Sequence, residues 1–251
     1  MGRLDSKVAI VTGAGSGFGA GIALRYAAEG CKVLVCDINE AGAQATAAKD
    51  AANLAAFKMD VTKRADWEAT MAVVKEKYGR CDILINNAGW SYVNKATLDV
   101  TEEEFERVFD VNVKGVYLGC QAWVGQAIER KQGGVIINIA SVGATRPRPG
   151  LVWYNASKGA VWNATKGLAA EYGPHQIRVN SICPLVTGTG LFSAFTGMED
   201  TPENRSKFIG NVPMGRIGEV EDVVNACVFM ASDEARFITG TNLEVDGGRC
   251  I

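Results

Sequence analysis

With 251 residues, 47% hydrophobic and 22% charged, the chain has the size and composition of one soluble globular domain with ample core. Its formal net charge of −2 gives no electrostatic case for nucleic acid or an anionic membrane, and its apolar runs are strand-length, too short for a signal peptide or a membrane span. Seven scattered cysteines without a C-x-x-C pair, and His175 as the single histidine, fit reduced thiols in a cytoplasmic protein and argue against a metal site or a Ser-His-Asp triad.

Lys7 to Val11 is a short β-branched run that reads as a buried strand. Thr12-Gly13-Ala14-Gly15-Ser16-Gly17-Phe18-Gly19 follows, then a helical stretch from Ala20 to Glu29. Glycines at 13, 17 and 19 let the backbone turn sharply and approach a ligand closely. The free N–H groups of the next helix then face a pyrophosphate, favoured by the helix dipole. Strand, glycine loop and helix in this order are the signature of a nucleotide site.

Lys32 to Cys36 is a second strand, ending at Asp37. A carboxylate there accepts hydrogen bonds from both adenosine ribose hydroxyls and repels a 2′-phosphate. No Arg or Lys stands in the glycine loop or just after Asp37 to neutralise such a phosphate, so NAD(H) is favoured over NADP(H). The alternative for Asp37 is a cap for a helix starting near Asn39.

Ala41 to Ala52 reads as a helix, Leu54 to Met59 as a third strand ending in Asp60-Val61, and Asp66 to Tyr78 as a helix stopped by Gly79. Asp82 to Ile85 is a fourth strand, closed by Asn86-Asn87-Ala88-Gly89. Thr101 with Glu104 makes a capping box for a long helix that carries Asn112 and runs toward Lys131. Asn112 in an otherwise apolar helix needs a partner. Val135 to Ala140 is a fifth strand and Ile177 to Ile182 a sixth, the latter ending at Pro184. Glu219 to Ala231 is a helix, and Asn242 to Val245 the last strand. The alternation predicts a doubly wound α/β Rossmann-type fold: about seven parallel strands, helices on both faces, and ligands at the carboxyl ends. No repeat or linker divides the chain, so 1–251 is one domain.

Tyr154 and Lys158 are four apart, which on a helix puts them on one face, one turn apart. A positive charge near a phenol favours the phenolate and lowers its pKa from about 10. Such a Tyr can give a proton to a carbonyl oxygen or take one from an alcohol. Ser141 sits where the fifth strand ends, and its hydroxyl could hold the same oxygen. On its own, the pair also fits an ordinary amphipathic helix.

Taken together, T-G-x-x-x-G-x-G at Thr12–Gly19, N-N-A-G at Asn86–Gly89, Y-x-x-x-K at Tyr154–Lys158, and the placement of Ser141 and Asn112 resemble the short-chain dehydrogenase/reductase family over nearly the whole chain. The resemblance implies that Tyr154 is the general acid/base and that Lys158 lowers its pKa and binds the nicotinamide ribose. It implies that Ser141 orients the substrate oxygen and Asn112 helps hold a water chain. Gly13, Ser16, Gly17, Phe18, Gly19 and Asp37 would hold the dinucleotide, Asp60 and Val61 the adenine, and Asn87, Ala88 and Gly89 the adenosine side. Where the family often has P-G-x-V-x-T, this chain reads Pro184-Leu185-Val186-Thr187-Gly188-Thr189. Pro184, Thr187 and Thr189 are assigned to the nicotinamide carboxamide, with looser backbone approach at Leu185.

The pocket is expected to draw on Gly143, Arg148, Leu151, Trp153 and Leu185, beneath a lid at about 189–212 that carries Leu191, Phe192, Phe195 and Met198. Arg146-Pro147-Arg148-Pro149 places two arginines between Ser141 and Tyr154. They are candidates for an anionic substrate group or for solvated or inter-subunit positions. The resemblance thus implies an NAD-dependent enzyme acting on a small-molecule alcohol or ketone, assembled as a homo-oligomer, a tetramer or dimer. An NADP(H)-dependent 3-oxoacyl-type reductase and a non-catalytic nucleotide-binding regulator are the alternatives.

Overall fold

The computed structural model describes residues 2–187 and 192–251; Thr189 and Leu191, assigned above to the cofactor and the lid, lie outside them. Seven strands form one parallel sheet in the order β3-β2-β1-β4-β5-β6-β7. They are β1 Val8–Thr12, β2 Lys32–Asp37, β3 Leu54–Lys58, β4 Ile83–Asn86, β5 Gly134–Ile139, β6 Ile177–Pro184 and β7 Asn242–Val245. The expected doubly wound α/β architecture is the one found.

The central strands are apolar throughout because both faces of the sheet are covered. Their side chains alternate between two cores. Ala9 and Val11 join Ile22 and Tyr26 of α1 (Gly17–Ala28) and Val224 and Val228 of α9 (Val220–Ala231). Val8 and Ile10 join Trp67 of α3 (Arg64–Tyr78), Trp123 of α5 (Gly115–Arg130) and Val161 of α6 (Val152–Tyr172). The Tyr26 hydroxyl donates to the Cys227 carbonyl at 2.9 Å, tying α1 to α9.

Buried polar groups also fix the sheet. Asn86 Nδ2 donates to Asn138 Oδ1 at 2.9 Å, and Asn138 Nδ2 to Thr165 Oγ1 at 3.0 Å. This relay joins the carboxyl ends of β4 and β5 to the body of α6. Each of the three side chains is at least 96% shielded from solvent, so a missing partner would cost about 1–3 kcal/mol.

Local signals set the boundaries. The α2 helix is Glu40–Ala47, followed by a 3₁₀ turn at Ala48–Asp50, and Asn39 is its N-cap. Gly79 ends α3 at φ 76°. The Thr101–Glu104 capping box opens α4 (Glu102–Phe109) as expected. The single long helix expected beyond it is interrupted: Asp110–Lys114 is a π-helical turn that carries Asn112, and α5 begins after it. Two short helices, α7 (Phe192–Thr196) and α8 (Pro202–Ile209), occupy the segment read as a lid.

Candidate active site

β1 pairs with β2 on one side and β4 on the other, so connections leave in opposite directions and a crevice opens at their carboxyl ends. The Thr12 hydroxyl bolts its walls together. It donates to the Ile85 carbonyl (3.2 Å) and accepts from the N–H groups of Asn87 (3.0 Å) and Ala88 (3.1 Å). Asn87 Nδ2 donates back to the carbonyls of Thr12 (2.8 Å) and Gly13 (3.0 Å).

The glycine loop is packed so tightly that side chains are excluded. Gly13 lies at φ +62°, and a Cβ there would stand 2.8 Å from Ala88 Cα. At Gly19 a Cβ would stand 2.2 Å from the Gly13 carbonyl oxygen. Gly19 is therefore a packing residue behind the cavity. Ser16 precedes α1 without a side-chain cap, and the first turn holds no acidic residue. The first-turn N–H groups thus lack a side-chain acceptor, and Ser16, Gly17 and Phe18 face the cavity. This donor set fits the pyrophosphate of a dinucleotide.

Asp37, at the end of β2, accepts from Gly15 N (2.8 Å) through Oδ2 and from Asn39 N (2.8 Å) through Oδ1. Both bonds are to main chain, and each oxygen keeps a lone pair on a carboxylate that lines the cavity. The capping role suggested for Asp37 belongs to the side chain of Asn39, which accepts from Gly42 N at 3.2 Å. Asp60 lies beside Val61 on the same wall. Thr62 and Lys63 hold its carboxyl below the ordinary range against the opposing effect of burial.

At the other end of the cavity, which measures about 880 Å³, stand Ser141, Tyr154 and Lys158. Ser141 Oγ accepts from Gly143 N at 3.0 Å, leaving its own proton to donate. A Cβ on Gly143 would fall 2.3 Å from Asn155 Oδ1, so a larger residue there would displace that amide. Lys158 Nζ donates to the Ile139 carbonyl at 2.8 Å and lies 5.8 Å from the Tyr154 ring centroid. Burial dominates both groups. It pushes the Tyr154 phenol up to about 12, against a lowering by Ser141, and brings the Lys158 ammonium down to about 8. The lowering of Tyr154 expected from its lysine is not found: desolvation, which disfavours the phenolate, dominates, and Ser141 is the group that opposes it.

Asn112 is fully buried and every polar atom of its amide is used. Oδ1 accepts from Trp90 N (2.8 Å), while Nδ2 donates to the Trp90 carbonyl (2.9 Å) and to Ser157 Oγ (3.0 Å). The side chain is a brace between the π turn, the loop after β4 and α6. It does not line the cavity. Trp153 also stands apart: its ring packs edge-on against Phe105 at 5.3 Å. Neighbouring helical residues differ in direction by about 100°, so the turn that aims Tyr154 inward carries Trp153 elsewhere.

The remaining assigned residues meet in the one cavity. Ala88, Gly89, Pro184, Leu185 and Thr187 line it, as do Arg148 and Leu151. From the lid segment, Ala194, Phe195 and Phe208 also face it. Phe195 packs at 5.1 Å against the Tyr154 ring, and Asn94 N pins α7 through the Ala194 carbonyl at 2.9 Å. Asn155, Arg249 and Cys250 were not foreseen. Asn155 carried a signal, since it sits between the paired Tyr and Lys; the tail residues carried none. Near that tail, Glu244, Asp246 and Cys250 place potential ligand atoms within 4.8 Å of one another. Their oxygens already accept from Thr145, Gly248 and Cys250.

A family model described as Enoyl-(Acyl carrier protein) reductase matches residues 13–249. The chain is 45% identical to 4-formylbenzenesulfonate dehydrogenase of Comamonas testosteroni, over 99% of this chain and 100% of that protein. It is 38% identical to galactitol 2-dehydrogenase of Agrobacterium fabrum, over 98% of each. Among solved structures, a 3-ketoacyl-(acyl-carrier-protein) reductase from Brucella melitensis complexed with NADH matches with a TM-score of 0.94 and 43% identity, over 99% of this chain and 100% of that one.

Proposed function

The chain belongs to the short-chain dehydrogenase/reductase family, and on that premise we propose that it is an NAD(H)-dependent oxidoreductase interconverting a secondary alcohol and a ketone, with Tyr154 as general acid/base. One observation carries the reading. The cavity that begins at the uncapped start of α1 ends at Ser141, Tyr154 and Lys158. A dinucleotide bound along it supplies the hydride acceptor or donor.

The chain's own groups handle position and the proton. Ser141 donates to the substrate oxygen, because Gly143 N already occupies one of its lone pairs. Tyr154 is protonated at neutral pH and gives its proton to the same oxygen in reduction. In oxidation it accepts that proton, and the Lys158 ammonium favours the phenolate this requires. Lys158 spends one N–H on Ile139 and keeps two for the nicotinamide ribose and a water. Asn112 acts on the site as a brace. Asp60, Val61, Asn87, Ala88 and Gly89 take the adenosine side, Pro184 and Thr187 the carboxamide.

Asp37 supports NAD(H). A 2′-phosphate beside this carboxylate would face repulsion, and Ile38 next to it offers no neutralising charge. The NADH complex of the 43% identical neighbour agrees with this choice. Leu151, Leu185, Gly143 and Phe195 suit a compact, partly apolar substrate under the α7–α8 lid. A second reading, oxidation of an aldehyde through its hydrate, is favoured by the name of the 45% identical relative. The hydrate is itself an alcohol, and Tyr154 would accept its hydroxyl proton. The active form is proposed to be a homo-oligomer, with half-exposed Tyr117 on α5 in the contact.

The test is turnover of a panel of secondary alcohols by wild type and Tyr154→Phe, followed at the nicotinamide absorbance band. Loss of the hydroxyl is expected to cut turnover by about 10²–10⁴ while NADH binding persists. Equal turnover by the two proteins would refute the assignment of Tyr154.

A further inference from the structure

Arg148 and Arg249 line the cavity together because the loop after β5 docks on the C-terminal tail. Arg146 Nη1 donates to the Arg249 carbonyl, and Thr145 Oγ1 donates to Glu244 Oε1 at 2.8 Å. The Arg148 carbonyl accepts from Asn155 Nδ2 at 3.0 Å, next to Tyr154 in sequence, and its guanidinium lies 5.0 Å from the Phe208 ring centroid.

Among the described residues, Nη1 of Arg148 and Nη1 of Arg249 are both shielded from solvent and lack a hydrogen-bond partner. Among the described residues neither guanidinium takes part in an ion pair. The carboxylates of the tail are engaged elsewhere: Glu244 with Thr145, Asp246 with the N–H groups of Gly248 and Cys250. Each guanidinium also repels the other: burial, and after it the charge of Arg249, lowers the pKa of Arg148. Two half-buried guanidiniums face one cavity, each with a shielded Nη1 that lacks a partner, and such donors are costly unless an anion completes them. Guanidinium forks match the paired oxygens of carboxylates and sulfonates.

We propose that Arg148 and Arg249 form an anion subsite that holds a carboxylate or sulfonate carried by the substrate, away from the carbon that reacts at Tyr154. The subsite rests on the oxidoreductase reading for its substrate, and it selects anionic alcohols and ketones over neutral ones. Phe208 supplies the apolar wall beside it.

The probes are 4-acetylbenzoate, its methyl ester and 4-acetylbenzenesulfonate, bound to the full chain with NAD⁺ present and followed by calorimetry. Wild type is expected to bind the acids at least about tenfold more tightly than the ester. Arg148→Met and Arg249→Met should each erase most of that advantage, and Arg148→Lys should restore part of it, which lost packing against Phe208 would not. An advantage absent from wild type, or retained in both Met variants, would overturn the subsite. So would a fall in NADH affinity in those variants that matches the fall for the acids, because the guanidiniums would then serve the cofactor. Reduction of the ester by wild type with NADH reports separately on the oxidoreductase reading.

Discussion

Lys158 Nζ donates to the Ile139 carbonyl at 2.8 Å, which anchors an ammonium in the wall of the cavity with only 5% of the residue exposed. β5 thus holds the charge that α6 delivers. The arrangement is expensive, because burial brings the ammonium down to about 8. Stability is traded for a charge in the right place.

That cost gives a pH signature. Below pH 8 the lysine is charged in both folded and unfolded chains, and the folded state bears the penalty. Between about 8 and 10.5 the unfolded chain keeps a proton that the folded one has released, so folding gains with rising pH. The stability difference, wild type minus Lys158→Met, should therefore grow by up to about 1.4 kcal/mol per pH unit in this window. Burial raises Tyr154 and all seven cysteines, and these groups oppose stability as they titrate in both proteins. Taking the difference removes those that do not touch Lys158; Cys183, whose thiol is coupled to the lysine, stays in it. Urea unfolding at pH 7 and 9.5 measures it, and a constant difference would contradict the buried ammonium.

Asp37→Ser should weaken NADH binding by about 10- to 100-fold, the worth of charge-assisted bonds to ribose hydroxyls, and narrow the gap to NADPH. Fluorescence titration with both dinucleotides reads this. An unchanged ratio would remove Asp37 from the ribose.

Asn112→Ala leaves the Trp90 N–H and carbonyl and the Ser157 hydroxyl short of a partner. A loss of about 2–3 kcal/mol is expected, visible in the urea midpoint. A variant as stable as wild type would mean that the brace carries no weight.

Gly19→Ala forces a methyl group to 2.2 Å from the Gly13 carbonyl oxygen and 2.5 Å from Asn87 Nδ2. Because this contact lies behind the loop, the expected result is displacement of the loop and at least a tenfold loss of NADH affinity, about 1.4 kcal/mol. Tight binding in the variant would show that the loop can shift without harm.

Much of this was legible because the signals are contiguous. Thr12–Gly19 and Asn86–Gly89 are short runs whose backbone demands show in glycine and asparagine spacing, and Tyr154–Lys158 spans one helical turn. Other features depend on distant packing. Arg249 meets Arg148 only because the tail folds back over the loop after β5. The π turn at Asp110–Lys114 leaves no mark on periodicity, so Asn112 read as part of one long helix and its bracing role was hidden. Trp153 looked like a pocket residue through adjacency to Tyr154, although helical geometry sends it toward Phe105. The pKa of Tyr154 depends on burial depth, which spacing does not reveal.

The most direct measurement is oxidation of secondary alcohols by the wild-type chain with NAD⁺ and NADP⁺ in parallel. Appearance of the reduced nicotinamide band with NAD⁺, and little with NADP⁺, is the predicted result. Faster turnover with NADP⁺, or NADH binding with no turnover on any alcohol or ketone, would contradict the account.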